Sequence, residues 1–285
     1  MSYPVDNAII MCAGTSSRFA PLSYEKPKAL TVVKGEVLLE RQIRQLKEAG
    51  VPEIILVLGY KKEQFYYLKE EFGVILIENT EYLSRNNNSS IWAARDYLKN
   101  SYICSADNYF SVNPFESRVD GAYYAAVYAD GETNEWCLTE DADGYIDSVT
   151  IGGKNAWYMM GHAFWTEDFS REFLGILSQI YDLPETAGML WEAIYMRYLD
   201  RLKLKIRRYP SDAIYEFDSL DDLRQFDESY ITDTRSPILK EIAKRLSVRE
   251  SDLTDIEVIK DGNTAAGFTL LAAGKPYRFL YDDIE

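Results

Sequence analysis

Through its first hundred residues the chain alternates short apolar runs with amphipathic stretches, and this pattern leaves few folds open. Ala8 to Met11 reads as a short buried strand. Val37 to Ala49 carries Leu38, Leu39, Ile43 and Leu46 at helical spacing and stops at Gly50. Glu53 to Leu58 reads as a strand, Lys62 to Phe72 as a helix, and Gly73 to Glu78 as another strand. A third helix over Ser89 to Leu98 and a fourth strand over Tyr102 to Ser105 follow. Such alternation predicts an α/β fold with a mixed, mostly parallel central sheet flanked by helices. Ligands of such sheets bind beyond the carboxyl ends of the strands, where the loop after Met11 and the residues after Ser105 fall.

From Gly121 to Trp165 the texture changes to short β-type runs separated by Asp-Gly and Gly-Gly turns, expected to form one wall of a pocket. Asp168 to Leu199 reads as helical with a break near Pro184, Leu204 to Arg208 as a strand, and Ile214 to Phe217 as extended. Ser219 opens a helix with Asp221 and Asp222 in its first turn, where the helix dipole favours negative charge. A boundary near 231 to 236 divides a domain of residues 1–230 from an α+β appendage, 236–285. There Ser236 caps a helix with Pro237 at its first position. Three β-like runs follow: Asp255 to Lys260, Thr264 to Ala272, and Tyr277 to Tyr281.

The 285 residues, 47% of them hydrophobic, suffice for a large core. The formal net charge of -15 repels nucleic acid, so no nucleic-acid partner is expected. An anionic ligand must then be held by local cations. No apolar run reaches membrane-spanning length and the first residues lack a signal-peptide pattern, so membrane insertion is not expected and a cytoplasmic protein is. Cys12, Cys104 and Cys137 are far apart in apolar runs, which predicts buried free thiols, and the single His162 reads as a core or wall residue.

The loop leaving the first strand reads Ala13-Gly14-Thr15-Ser16-Ser17, followed by Arg18, Pro21-Leu22 and Lys26-Pro27-Lys28. Exposed backbone N–H groups in such a loop hold phosphate oxygens, and Arg18 and Lys28 add two positive charges. The spacing is neither a Walker A loop nor a dinucleotide fingerprint. It resembles the sugar-phosphate nucleotidyltransferase signature A-G-x-G-[ST]-R-x-x-P-L-[ST]-x-x-x-P-K, with Ser16 where the second glycine falls. Asp107, at a strand tip in Ser105-Ala106-Asp107-Asn108-Tyr109, is placed to hold Mg2+, which takes one or two carboxylates plus phosphate oxygens and water. Asp218 is the expected second carboxylate, and alternation turns Glu216 to the same side.

Across residues 6 to 230 the chain is similar to bacterial CTP:phosphocholine cytidylyltransferases. The matching runs are KPKAL, GYKKEQFYYLKEEFGV, SADNYF, TNEWCL, GHAFW and IYEFDSLDDL. The resemblance implies a Rossmann-like nucleotidyltransferase fold that uses CTP and Mg2+ to convert phosphocholine into CDP-choline and pyrophosphate. It implies that Arg18 grips the β- and γ-phosphates and that Lys28 neutralises the α-phosphate and the attacking phosphate, with Asp107 and Asp218 on the metal. Asn87 and Ser90 look like the family's N-x-x-S element near the nucleotide, and Ala106 adjoins it. Trimethylammonium recognition needs aromatic faces, for which Trp136, Trp157, Tyr158 and Trp191 are candidates, with Glu192 or Asp200 as counter-charge. A cytidylyltransferase for 2-aminoethylphosphonate or phosphoethanolamine is the alternative, ahead of a sugar-1-phosphate nucleotidyltransferase or a non-catalytic nucleotide-binding subunit. The appendage resembles the opening hairpin of choline-kinase-type small lobes, with Asp261-Gly262-Asn263-Thr264 at its loop; a packing role, a homo-oligomer contact and a fusion remnant all stay open for it.

Overall fold

The computed structural model describes residues 2–262 and 264–283. Its contacts sort into two compact units: residues 1–14 with 41–215, and 15–40 with 216–285. These are units of packing; the linear division at 231 to 236 is a proposal about autonomous domains.

The first unit is built on a seven-stranded sheet. Its strands are Asn7–Cys12 (β1), Glu53–Leu58 (β2), Ile75–Glu78 (β3), Ser101–Ser105 (β4), Tyr123–Glu140 (β5), Ile146–Trp165 (β6) and Lys205–Tyr209 (β7). Their spatial order is β7-β5-β6-β4-β1-β2-β3. Only β6 runs antiparallel to its neighbours, so the sheet is mixed and mostly parallel. Ala8, Ile9 and Ile10 of β1 are fully buried, as a parallel strand covered on both faces requires. The predicted helix over 37–49 is Leu38–Glu48, and its four apolar positions are all buried. One large core joins Ile9, Ile55, Val57, Trp165, Phe173 and Trp191.

Several long helices expected from periodicity are shorter. Lys62 to Phe72 divides into a 3-10 turn, Lys62–Phe65, and the α-helix Tyr67–Phe72. The 168–199 stretch divides into Glu167–Ile180, Pro184–Ala187 and Trp191–Arg197, where Pro184 can only open a new helix. The segment from 121 to 165 departs in the other direction, forming two long paired strands. Two of its expected glycine turns, at Asp130-Gly131 and Gly152-Gly153, are irregularities inside one ribbon, while Asp143-Gly144 does lie in the turn between the strands: Gly131 and Gly152 take left-handed φ of 99° and 81°, and the pairing shifts register repeatedly. A Cβ on Gly153 would stand 2.8 Å from the Cys137 sulfur, so a side chain there would have to displace that thiol. The real turn lies at Asp141, whose side chain accepts from the N–H groups of Asp143 and Tyr145.

His162 is buried, joined to the Tyr123 hydroxyl at 2.8 Å, and burial pushes its pKa down to about 3, so it is a neutral core residue. All three cysteines are buried and free. No helix among the described residues is long and apolar enough to cross a membrane.

In the second unit, Ser236 accepts from the Leu239 N–H at 3.1 Å and opens the helix Pro237–Leu246. Leu253–Asp261, Thr264–Ala272 and Lys275–Leu280 then form a three-stranded antiparallel sheet in chain order. The appendage thus carries one strand more than a hairpin. Asn263, in its expected loop, lies outside the described residues. Leu253, Phe268 and Leu270 form the buried side of this sheet.

Candidate active site

The loop after β1 begins under tight constraint. The Ala13 carbonyl accepts from the Tyr60 N–H at 3.0 Å, and a Cβ on Gly59 would stand 2.7 Å from that carbonyl oxygen. Glycine at 59 therefore lets two strand ends lie backbone against backbone. Further along, Ser16 takes φ 48° and ψ 43°, the left-handed conformation of the glycine it replaces in the signature. For a serine this costs roughly 1–2 kcal/mol. It starts the turn Ser17–Phe19, in which the N–H groups of Phe19 and Ala20 are bonded to the Ser16 and Ser17 carbonyls. Phe19 is buried and Arg18 is turned out, with 69% of its side chain exposed.

Four charged residues named from the sequence converge in the second unit. Arg18 Nη1 lies 2.6 Å from Asp218 Oδ2, and Lys28 Nζ lies 3.3 Å from Asp218 Oδ1 and 3.8 Å from Glu216 Oε1. One carboxylate is thus shared between two cations. Lys28 is only 4% exposed, and its ammonium also stands 5.9 Å from the centre of the Phe19 ring. Local chemistry places Asp218. Ser219, not Asp218, caps the helix Leu220–Phe226 in a capping box with Asp222. Asp222 Oδ2 accepts from the N–H groups of both Ser219 and Asp218, which leaves the Asp218 side chain for the cations.

Asp107 belongs to the first unit, in the turn after β4. The thiol of Cys12, the last residue of β1, is pushed up mainly by burial and further by the Asp107 charge. Asp107 therefore stands by the end of β1, at the carboxyl edge of the sheet. Ala106 beside it is buried.

A second cluster gathers around Glu192 in the helix Trp191–Arg197. Asn87 donates to Glu192 Oε2 at 3.1 Å and accepts from the Trp191 N–H at 2.7 Å. The Tyr124 hydroxyl donates to Glu192 Oε1 at 3.2 Å. Burial pushes the Glu192 pKa up to about 7, against these hydrogen bonds, which hold it down. Trp191 itself is a core residue, 1% exposed, stacked on Tyr124 and edge-on to Trp165. Trp136 is half-buried and packs against the large hydrophobic core of the first unit, to which Tyr124 and Trp191 also belong. Tyr158 is also half-buried and pairs across the ribbon with Cys137, the neighbour of Trp136. Ser90 is buried, and its hydroxyl accepts from Asn79 at 3.2 Å.

Tyr124 and Asn79 escaped the sequence reading. Tyr124 is one tyrosine in the run AYYAAVYA, and nothing local distinguishes it from its neighbours. Among the described residues no group of three or more His, Cys, Asp or Glu could hold a metal ion by itself. A hard ion that takes one or two carboxylates and completes its shell from phosphate and water fits such a donor set.

Residues 8–117 match the model of the MobA-like NTP transferase domain. The chain is 34% identical over 221 residues to a choline-phosphate cytidylyltransferase of Streptococcus pneumoniae, covering 78% of this chain and 96% of that one. It is 36% identical over 234 residues to a 2-aminoethylphosphonate cytidylyltransferase of Lancefieldella rimae, covering 81% and 95%. The solved structure of the CTP:phosphocholine cytidylyltransferase from Streptococcus pneumoniae superposes with a TM-score of 0.75 over 79% of this chain and 99% of that chain. With this sheet order, this loop and relatives of this length and identity, the chain is a nucleotidyltransferase and belongs to the bacterial CTP:phosphocholine cytidylyltransferase family.

Proposed function

We propose that the protein makes CDP-choline and pyrophosphate from CTP and phosphocholine. The observation that carries this reading is the sharing of the Asp218 carboxylate by Arg18 and Lys28 beside a phosphate-type loop. The phosphate monoester is already a nucleophile, so no general base is needed. The barrier is the approach of two anions, and cations held in advance lower it. Lys28 is nearly buried, where a charge acts through a lower dielectric than water, and it serves the α-phosphate and the incoming phosphate. Arg18 is more exposed. An exposed ion pair contributes about 0–1 kcal/mol, so the β- and γ-phosphates can take Arg18 from Asp218 at small cost. Backbone N–H groups of 13–17 receive the remaining phosphate oxygens. Attack is in line at the α-phosphorus, with pyrophosphate leaving opposite and no covalent enzyme intermediate.

Asp107 and Asp218, with Glu216 near, are the residues that would hold Mg2+. When bound, that ion supplies positive charge against the repulsion between the substrates and the charge of the leaving group. Asn87, Ser90 and Ala106 are assigned to the nucleotide in this reading, with Asn87 also bonded to Glu192.

Choline is favoured as the acceptor's cation because Glu192 follows the stacked Trp191 and is bonded to Tyr124, and the half-buried Trp136 packs on the hydrophobic core those two rings belong to. Tyr158, half-buried, is the further candidate for that wall, whereas the buried Trp191 ring supports it from the core side by stacking on Tyr124. The second reading, 2-aminoethylphosphonate, is supported by the Lancefieldella rimae relative and by the Glu192 carboxylate, which can accept from a primary ammonium. Initial rates of pyrophosphate release with CTP and phosphocholine, phosphoethanolamine or 2-aminoethylphosphonate test the choice. Phosphocholine is expected to give the highest kcat/KM, with Trp136→Ala raising its KM and leaving that for CTP unchanged. Equal turnover of all three acceptors would remove the aromatic wall.

A further inference from the structure

The segment that carries both phosphate-binding cations, residues 15–40, makes its packing with the C-terminal part of the chain. Two strands of the C-terminal sheet, Leu253–Asp261 and Thr264–Ala272, lie against the Ser17–Phe19 turn. Tyr281 stacks face to face on Tyr24, with ring centres 3.6 Å apart and planes 10° from parallel, and it is 4% exposed. Phe268, fully buried, packs on Tyr281 from the other sheet strand. Glu25 accepts from the Ile238 N–H at 2.7 Å, at the first turn of the helix that opens the appendage. Arg235 Nη1 and the Tyr230 hydroxyl both donate to the Val32 carbonyl. Arg224, itself buried, ties the helix Leu220–Phe226 to the Leu253 and Glu250 carbonyls at 2.7 and 2.8 Å. The 15–40 segment is therefore braced by residues beyond 220 at the Ser17–Phe19 turn, at Tyr24 and Glu25, and again at Val32.

We propose that residues 236–281, which lie beyond the family-like region, are a positioning element for nucleotidyl transfer: they hold the Arg18–Lys28 segment in the conformation that receives the triphosphate. The proposal rests on the reading of Arg18 and Lys28 as phosphate-binding. A loop whose left-handed Ser16 is strained needs such an external hold, because its own hydrogen bonds span only one turn. Tyr281 and Glu25 touch no substrate in this account; they act through the loop.

The test uses the full chain. Amide hydrogen exchange of Tyr281→Ala is expected to show the Phe19 and Ala20 N–H groups exchanging at least about 5-fold faster, as loss of one aromatic pair and its burial predicts. Exchange in β1 and β2 is expected to stay unchanged. In turnover, KM for CTP is expected to rise ~10-fold or more while KM for phosphocholine holds, and Tyr281→Phe should restore both. Leu177→Ala, in the first unit's core, is the control: it lowers Tm and leaves the KM for CTP alone. Should Tyr281→Ala not fold, Glu25→Ala removes the acceptor of the Ile238 N–H and is read in the same way. Unchanged exchange at Phe19 and Ala20 in the folded variant overturns the brace whatever the activity. Wild-type protein without cytidylyl transfer would instead overturn the proposed function, since exchange needs no turnover.

Discussion

Glu192 shows how a single side chain ties environment to chemistry. Its carboxyl is removed from water among aromatic residues, which favours the neutral acid and brings its pKa up to about 7. A cationic acceptor needs the anion. At saturating CTP, kcat/KM for phosphocholine is therefore expected to rise as pH increases from 6 to 8, with a component that Glu192→Gln abolishes; the phosphate of the acceptor titrates equally in both proteins. A profile identical in the two would take Glu192 out of the acceptor site. Stability runs the other way. The unfolded carboxyl ionises near 4.5 and the folded one near 7, so folding loses stability as pH rises between these values. Urea unfolding of Glu192→Gln should lack that slope.

Among the elements, the start of the helix Leu220–Phe226 links local sequence to the site. Ser219 accepts from the Asp222 N–H at 3.1 Å, and Asp222 returns to the N–H groups of Ser219 and Asp218. Replacing Ser219 with Ala is expected to lower stability by about 1 kcal/mol, measured in urea. It should also lower kcat/KM for CTP several-fold through Asp218, with Ser219→Thr close to wild type. A loss of stability with unchanged kcat/KM would separate the cap from the site. This element was legible in advance: a serine with two aspartates following it marks a helix start, and period-two alternation put Glu216 and Asp218 on one side, where both now face Lys28. The β character of 121–165 and its turn at Asp143-Gly144 were legible, but not the continuity of β5 and β6 as one ribbon. Its Gly-Gly and Asp-Gly pairs have the composition of turns, and only cross-strand pairing distinguishes a bulge from a reversal.

At the scale of the molecule, all five tryptophans lie in the first packing unit, while Leu253, Phe268 and Leu270 are buried in the second. Phe268→Ala empties a fully buried ring site in the second unit, at a cost of about 3–5 kcal/mol. Urea unfolding followed by far-UV circular dichroism should move to lower midpoint while the tryptophan signal stays near wild type. Coincident shifts would mean that the two cores unfold as one. The sequence by itself determined the alternating α/β order, the parallel sheet with its loops at the carboxyl edge, the cationic pair in the first loop and the capped helix at Ser236. These follow from periodicities and end signals that act over a few residues. Only the tertiary structure decided that Lys28 would meet Asp218 190 residues away, that Tyr124 would bond to Glu192, and that the segment of Arg18 would pack with the C-terminal sheet. Such pairings depend on where the chain returns after long excursions, and no local spacing encodes that return.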